Sequence, residues 1–60
     1  MSSKELLERI IEDIEDTIYD YKDDIKRTDS RLTRSDRISR IDELKNWKQS
    51  LQDLLLEMED

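Results

Sequence analysis

The sequence predicts an all-α fold, an antiparallel helical hairpin built from two long amphipathic helices. The chain contains no Gly and no Pro, the residues on which tight turns between strands usually depend. Its apolar residues recur at intervals of three and four positions, which is the spacing of one face of an α-helix. This spacing loses its phase within residues 26–40, and the loss indicates a bend between two helices.

Length and composition limit how such a fold is stabilised. The 60 residues form one predicted domain, 1–60, and a chain of this size buries only about 60% of the surface that it exposes when unfolded. Without Cys the chain has no disulfides, and without His it has no ordinary zinc site. We therefore expect support from another protein chain, most simply from a second copy in a homo-oligomer, here a dimer.

The first helix is expected over residues 3–28. Ser2 and Glu5 form a capping box, in which the serine hydroxyl accepts a hydrogen bond from a backbone N–H three residues later. The apolar residues that follow form a heptad pattern, which is typical of a helix that packs against other helices. The predicted interface residues of this helix are Leu7, Ile10, Ile11, Ile14, Ile18, Tyr21 and Ile25.

A connection over residues 29–33 and a second helix over residues 34–58 are expected next. Thr33 and Asp36 form a second candidate capping box, with Thr33 as the residue that caps the helix. A new and broader apolar stripe begins in this helix and is interrupted by Lys48. It adds these predicted interface residues: Ile41, Leu44, Trp47, Leu51, Leu54, Leu55 and Met58.

Two arrangements of the helices remain open from the sequence. A connection of about five residues makes neighbouring helices antiparallel, which gives the hairpin. Because residues 29–33 include nothing that forbids helix, the alternative is one long continuous coiled-coil helix. A hairpin lacks a third element to cover its apolar stripes. We therefore predict that two copies form a four-helix bundle, with Trp47 and Leu54 between the hairpins.

The charges divide the chain into acidic, basic and acidic segments. Residues 26–40 hold six basic and two acidic side chains, whereas residues 1–25 hold three basic and nine acidic ones. Carboxylates spaced by four residues form an acidic ladder, which is a candidate partner face: Glu8, Glu12, Asp16, Asp20 and Asp24. Arginines form a basic patch: Arg27, Arg31, Arg34, Arg37 and Arg40. The ladder is most simply a solvated face, and the arginines most simply pair with carboxylates, although both surfaces also suit charged partners.

The composition argues against an enzyme. With no His, no Cys and no Gly-rich phosphate loop, we predict no catalytic residues, no cofactor and no metal ligands. No apolar run approaches the ~20 residues that cross a bilayer, so we predict no membrane partner and a cytoplasmic location. The net charge of −6 argues against direct binding to nucleic acid, because the acidic segments repel phosphate.

The predicted function is that of a small protein-binding module, a regulator or assembly element that recognises a protein partner through a helix face. The apolar stripe would supply affinity, while the acidic ladder and the basic patch would select the partner. One alternative is an acidic inhibitor, for example of viral origin, that mimics nucleic acid or blocks a basic groove. The other alternative is a structural coiled-coil assembly element.

Overall fold

The computed structural model describes residues 2–58, which form two helices, α1 (Ser3–Arg27) and α2 (Arg31–Met58), and no strand. The helices are antiparallel, since the end of α1 contacts the start of α2. The Cα atoms fit within 47 × 18 × 11 Å, so the molecule is a flat rod, one helix thick and two helices wide. One continuous helix would be ~85 Å long. The all-α hairpin is therefore confirmed, and the continuous helix is excluded.

α1 begins at Ser3, as expected, and ends at Arg27. Ser2 is extended (φ −78°, ψ 160°), and its hydroxyl accepts a hydrogen bond from the backbone N–H of Glu5 at 3.2 Å. At the other end, the N–H of Thr28 donates to the carbonyl of Asp24 at 2.9 Å, and the chain then leaves the helix. Both ends of α1 thus have their free backbone groups partly satisfied by local contacts.

α2 begins three residues earlier than the sequence indicated, and Ser30 caps it rather than Thr33. The Ser30 hydroxyl accepts a hydrogen bond from the backbone N–H of Thr33 at 3.2 Å. The expectation relied on an acidic residue three positions after the cap, and Ser30 has a threonine there. Serine is a good cap without that acidic residue, so the helix gains an additional turn at its start.

The connection between the helices is three residues long, residues 28–30, instead of the expected five. Side chains hold it: the Thr28 hydroxyl accepts a hydrogen bond from the N–H of Ser30 at 3.1 Å. The guanidinium of Arg34 reaches back and donates to the carbonyl of Thr28 at 3.1 Å. No described residue has a positive φ, so the bend needs no glycine.

The core lies between the two helices and is small. Ile14 and Ile18 of α1 and Ile41 of α2 form a buried cluster, and Ile11 is also buried. Partly buried side chains pack against the cluster: Ile10, Tyr21, Ile25, Leu44 and Leu51. Because each helix has only one neighbour, the two broad faces of the rod stay exposed to solvent.

Candidate functional site

The predicted interface residues fall into two groups in the structure. Most are buried or packed against the core between α1 and α2, and Leu7 and Leu55 are half-buried. Trp47, Leu54 and Met58 instead stay exposed, with 61%, 45% and 42% of their surface accessible. Packing between α1 and α2 therefore accounts for the first group. The second group does not pack inside the hairpin and is free to contact another protein chain.

The exposed group lies along one side of α2. Trp47, Leu54 and Met58 follow one another after seven and four residues, which keeps them on the same side of an α-helix. Trp47 lines a groove between the helices together with Thr17 and Tyr21 of α1. This side of α2 therefore forms one broad face of the rod jointly with the Tyr21 side of α1.

α1 adds two more apolar residues to the same broad face. Leu6 and Ile10 precede Thr17 and Tyr21 by eleven residues, about three helical turns, and so lie on the same side of α1. Leu6 is 51% exposed. We call this surface the tryptophan face and define it by six residues: Leu6, Ile10, Tyr21, Trp47, Leu54 and Met58.

The apolar side chains of the tryptophan face gather at one end of the rod. Leu6 lies near the start of α1, and Leu54 and Met58 lie near the end of α2, which meet at the open end, away from the turn. Nearer the turn, the same face carries Arg40 and Glu43 beside the groove. Four of the six residues that define the face therefore lie in its open half, beside exposed Asp13, whereas the turn half carries Tyr21 together with charged side chains.

The opposite broad face is more polar. Near the turn its groove is lined by Tyr19, Lys22, Asp23, Ile25 and Lys26, and near the open end by Gln49, Gln52, Leu55 and Leu56. Leu56 lies two residues after Leu54, which places it about 200° round α2. Lysine and glutamine side chains separate the apolar residues here, so the tryptophan face is the stronger candidate for a binding surface.

The residues of the acidic ladder are all exposed, but they do not form a straight row. Four residues turn an α-helix by about 400°, so each step moves the carboxylate ~40° round α1. Asp16, in the middle, is two residues from both Ile14 and Ile18 and therefore points away from α2. The last member, Asp24, reaches the edge of α1 and pairs with Arg37 of α2 at 3.3 Å.

The basic patch lies at the turn end, and most of its arginines make local contacts. Arg27 pairs with Asp23 at 3.1 Å, one helical turn earlier. Arg40 donates from Nε to Asp36 at 2.9 Å, and this hydrogen bond raises the pKa of Arg40 above its ordinary value. Pairing with neighbouring carboxylates, the simplest expectation from the sequence, thus accounts for much of the patch.

Arg37 has the most extensive contacts of the patch. Besides the pair with Asp24 on α1, its Nη1 donates to Asp36 at 2.8 Å. Its guanidinium carbon also lies 4.9 Å from the centre of the Tyr21 ring, in a cation–π contact. Arg37 therefore links the first turns of α2 to the last turns of α1 through one ion pair and one cation–π contact.

Several residues of these surfaces were not predicted from the sequence. Leu6 lies outside the heptad positions, although its spacing of four from Ile10 was a signal that both share a side of α1. Leu32, Ile38 and Leu56 are also exposed apolar residues. Leu32 continues the heptad spacing seven residues after Ile25, but it lies beyond the end of α1 and is not covered by the other helix. The contact between Arg37 and Tyr21 depends on how the two helices align, which the spacing within one helix does not contain.

Residues 2–58 include neither a membrane-spanning helix nor a cluster of metal-binding side chains. Neither helix combines the length and the apolar character needed to cross a membrane. Among residues 2–58, no three side chains of His, Cys, Asp or Glu cluster in a way that could hold a metal ion. No protein-family model, no curated protein and no solved structure matches the chain.

Proposed function

We propose that the chain is a non-enzymatic protein-binding module, a small regulator or assembly element, whose tryptophan face packs against helices of a protein partner. The observation that carries this proposal is the exposure of Trp47 on the same face as Leu54 and Met58. Contiguous exposed apolar surface is typical of protein-interaction sites. Tryptophan is also among the residues that most often dominate the binding energy of an interface.

The chemistry of the chain supports a non-enzymatic role. The sequence offers no His or Cys as nucleophile or general base. Among residues 2–58 no charged or polar side chain is buried, whereas catalytic groups commonly act from enclosed sites. The cytoplasmic location stays a prediction.

The proposal is tested by capture on the immobilised chain. The lysate should also contain a tagged copy of the chain that is not immobilised, so that the experiment detects both the capture of a second copy and the capture of other proteins. We expect Trp47→Gln and Leu54→Gln to lose the proteins that the unaltered chain retains, because a polar amide replaces an apolar contact. Leu56→Gln is the matched control, since it alters an exposed leucine on the other side of α2. Retention of the same proteins by both face variants would show that another surface binds them.

The acidic ladder carries a second candidate function, because its middle points away from α2 and does not overlap the tryptophan face. Exposed carboxylates suit a basic protein, as in an inhibitor that blocks a basic groove. The test replaces four ladder residues by glutamine: Glu8, Glu12, Asp16 and Asp20. A control with the same change in net charge replaces four exposed carboxylates outside the ladder: Glu5, Asp29, Asp42 and Glu57.

The two charge variants separate two functions, the acidic inhibitor and the structural element, from non-specific attraction by net charge. Loss of a bound basic protein in the ladder variant alone supports the acidic inhibitor. Equal loss in both variants indicates that net charge, rather than the ladder, attracts the partner. A change in self-assembly without loss of any other protein favours the structural coiled-coil element.

A further inference from the structure

We propose that the partner of the tryptophan face is a second copy of the chain, stacked face to face with both turns at the same end. This inference rests on the proposed function and specifies its partner. The two-fold axis runs along the rod, so that α1 of each copy lies over α2 of the other. The product is a four-helix bundle in which every helix is antiparallel to its two neighbours.

The distribution of apolar residues decides the orientation. α1 contributes Leu6 and Ile10 to the open half of the face, and α2 contributes Leu54 and Met58. With both turns at the same end, the pair on α1 lies over the pair on α2 of the other copy, and the two-fold axis repeats this contact. With the turns at opposite ends and the rods fully overlapped, the same residues lie over the polar turn half. The apolar surface matches itself in the first orientation only.

The size of the face also fits a second copy. A rod 47 Å long and 18 Å wide has a projected face on the order of 800 Å², which is about what each partner buries in an interface of standard size. Turns at the same end allow the rods to overlap over their whole length. Turns at opposite ends would bring the apolar halves together only if the rods overlapped by about half. A second hairpin therefore covers the face without any larger partner.

Electrostatic repulsion between the two turn ends opposes this orientation, and its dependence on salt gives a way to detect the orientation. Each turn end holds residues 26–40, with a net charge of +4, and the proposed dimer places two such ends side by side. Arg27, Arg37 and Arg40 are already paired, and the repulsion between exposed charges is screened beyond about 8 Å at physiological salt. Apolar contact has no such screening, so we expect it to prevail. Added salt should then tighten the dimer, whereas it would weaken a dimer with opposite turns and fully overlapped rods, because that dimer places each basic turn end over an acidic open end.

Sedimentation velocity on the purified chain measures the dimer and its dissociation constant. We expect a compact dimer whose dissociation constant falls as NaCl rises from about 0.05 to about 0.5 M, because salt screens the repulsion between like ends. Leu54→Gln should raise the constant by about tenfold or more, since the symmetric interface contains the residue twice. Leu56→Gln should leave it within about twofold. Circular dichroism verifies that both variants keep their helices.

The orientation is measured by the distance between two spin labels. The chain has no Cys, so Leu32→Cys creates a single labelling site at a position that is 84% exposed and lies beside the turn. Turns at the same end place the labels roughly 20–30 Å apart, given helices stacked 8–10 Å apart and the length of the label arms. Turns at opposite ends place them about as far apart as the 47 Å length of the rod when the rods overlap fully, and farther apart when they overlap by half.

Each outcome supports or overturns the inference. A short label distance together with a dimer that salt tightens supports it. A distance equal to or greater than the length of the rod overturns the orientation, and a monomer at every concentration overturns the second copy as partner. A monomer that still captures other proteins through Trp47 leaves the proposed function standing. A dimer that Leu54→Gln does not weaken overturns the tryptophan face as the dimer interface, and the capture experiment with Trp47→Gln then decides the proposed function separately.

Discussion

α1 and α2 are similar in length but use their apolar residues differently. α1, with 25 residues, buries three isoleucines, whereas α2, with 28 residues, buries one. Among the described residues, six of the eight large apolar side chains that stay exposed belong to α2: Leu32, Ile38, Trp47, Leu54, Leu56 and Met58. α1 therefore places its apolar residues mainly inside the hairpin, and α2 keeps many of them available for other contacts.

The difference follows from the width of the apolar stripes. In α1 the apolar residues repeat after four and three positions, and one neighbouring helix covers a stripe of that width. In α2, Trp47 and Leu54 widen the stripe beyond the side that faces α1. One neighbour cannot cover a stripe that spans two sides of a helix. The width of an apolar stripe thus indicates how many neighbours a helix needs, and the hairpin supplies only one.

The largest expected effect comes from the buried side of α1. Ile18 is 7% exposed and belongs to the buried cluster, so Ile18→Ala should lower the free energy of unfolding by about 2–5 kcal/mol. Urea unfolding followed by circular dichroism measures the loss. All variants are compared at one protein concentration, because self-association would add to stability.

The matched variant Ile38→Ala makes the same change on α2, where the side chain is 47% exposed. Its expected effect is below about 1 kcal/mol, because the alanine leaves little cavity and loses little burial. Equal losses of unfolding free energy for Ile18→Ala and Ile38→Ala would show that the two side chains are buried to the same extent, contrary to the structure.

An intermediate effect is expected at the start of α2. Ser30→Ala removes the hydroxyl that accepts the N–H of Thr33, and it should lower the free energy of unfolding by about 1 kcal/mol. Thr33→Ala is the control, since in the structure this residue donates its N–H rather than capping the helix. If Thr33→Ala has the greater effect, α2 begins where the sequence indicated, and Ser30 is not its cap.

The smallest effect is expected for the contact that joins the two helices near the turn. A double-mutant cycle with Arg37→Gln and Asp24→Asn should give a coupling free energy of about 0.5 kcal/mol, because the pair is partly exposed to solvent. The coupling should decrease as salt rises. Arg37→Lys retains the charge but loses the planar guanidinium, so it measures the combined contribution of the guanidinium hydrogen bonds and the stacking on Tyr21. A coupling of zero would mean that the pair does not help to hold the helices together.

Much of this fold could be predicted from the sequence because its determinants are local. The cap at Ser2 and the buried stripe through Ile14 and Ile18 each depend on spacings within a single helix, which the sequence displays directly. The start of α2 could not be placed, because two acceptable caps, Ser30 and Thr33, stand three residues apart. The contact of Arg34 with the Thr28 carbonyl contributes there, and spacing within one helix does not reveal it.

The candidate site could be predicted only in part. The width of the second stripe indicated that Trp47 and Leu54 lie outside the contact between the two helices, and both are exposed in the structure. Leu6 joins them only because the antiparallel arrangement brings the start of α1 beside the end of α2. The alignment of the helices likewise brings Arg37 over Tyr21. Such contacts are properties of the packed pair and do not appear in the spacing of either helix.

The glycine-free bend has a consequence for how such chains can evolve. Residues 28–30 include neither Gly nor Pro, and none of them has a positive φ, so no backbone strain fixes the bend. The hydroxyls of Thr28 and Ser30 help to hold it, and either residue would lose only ~0.5 kcal/mol relative to alanine inside a helix. The burial of Ile14, Ile18 and Ile41 between the helices, rather than the connection itself, therefore keeps the chain bent. Codon changes in residues 28–30 can accumulate as long as that cluster stays buried.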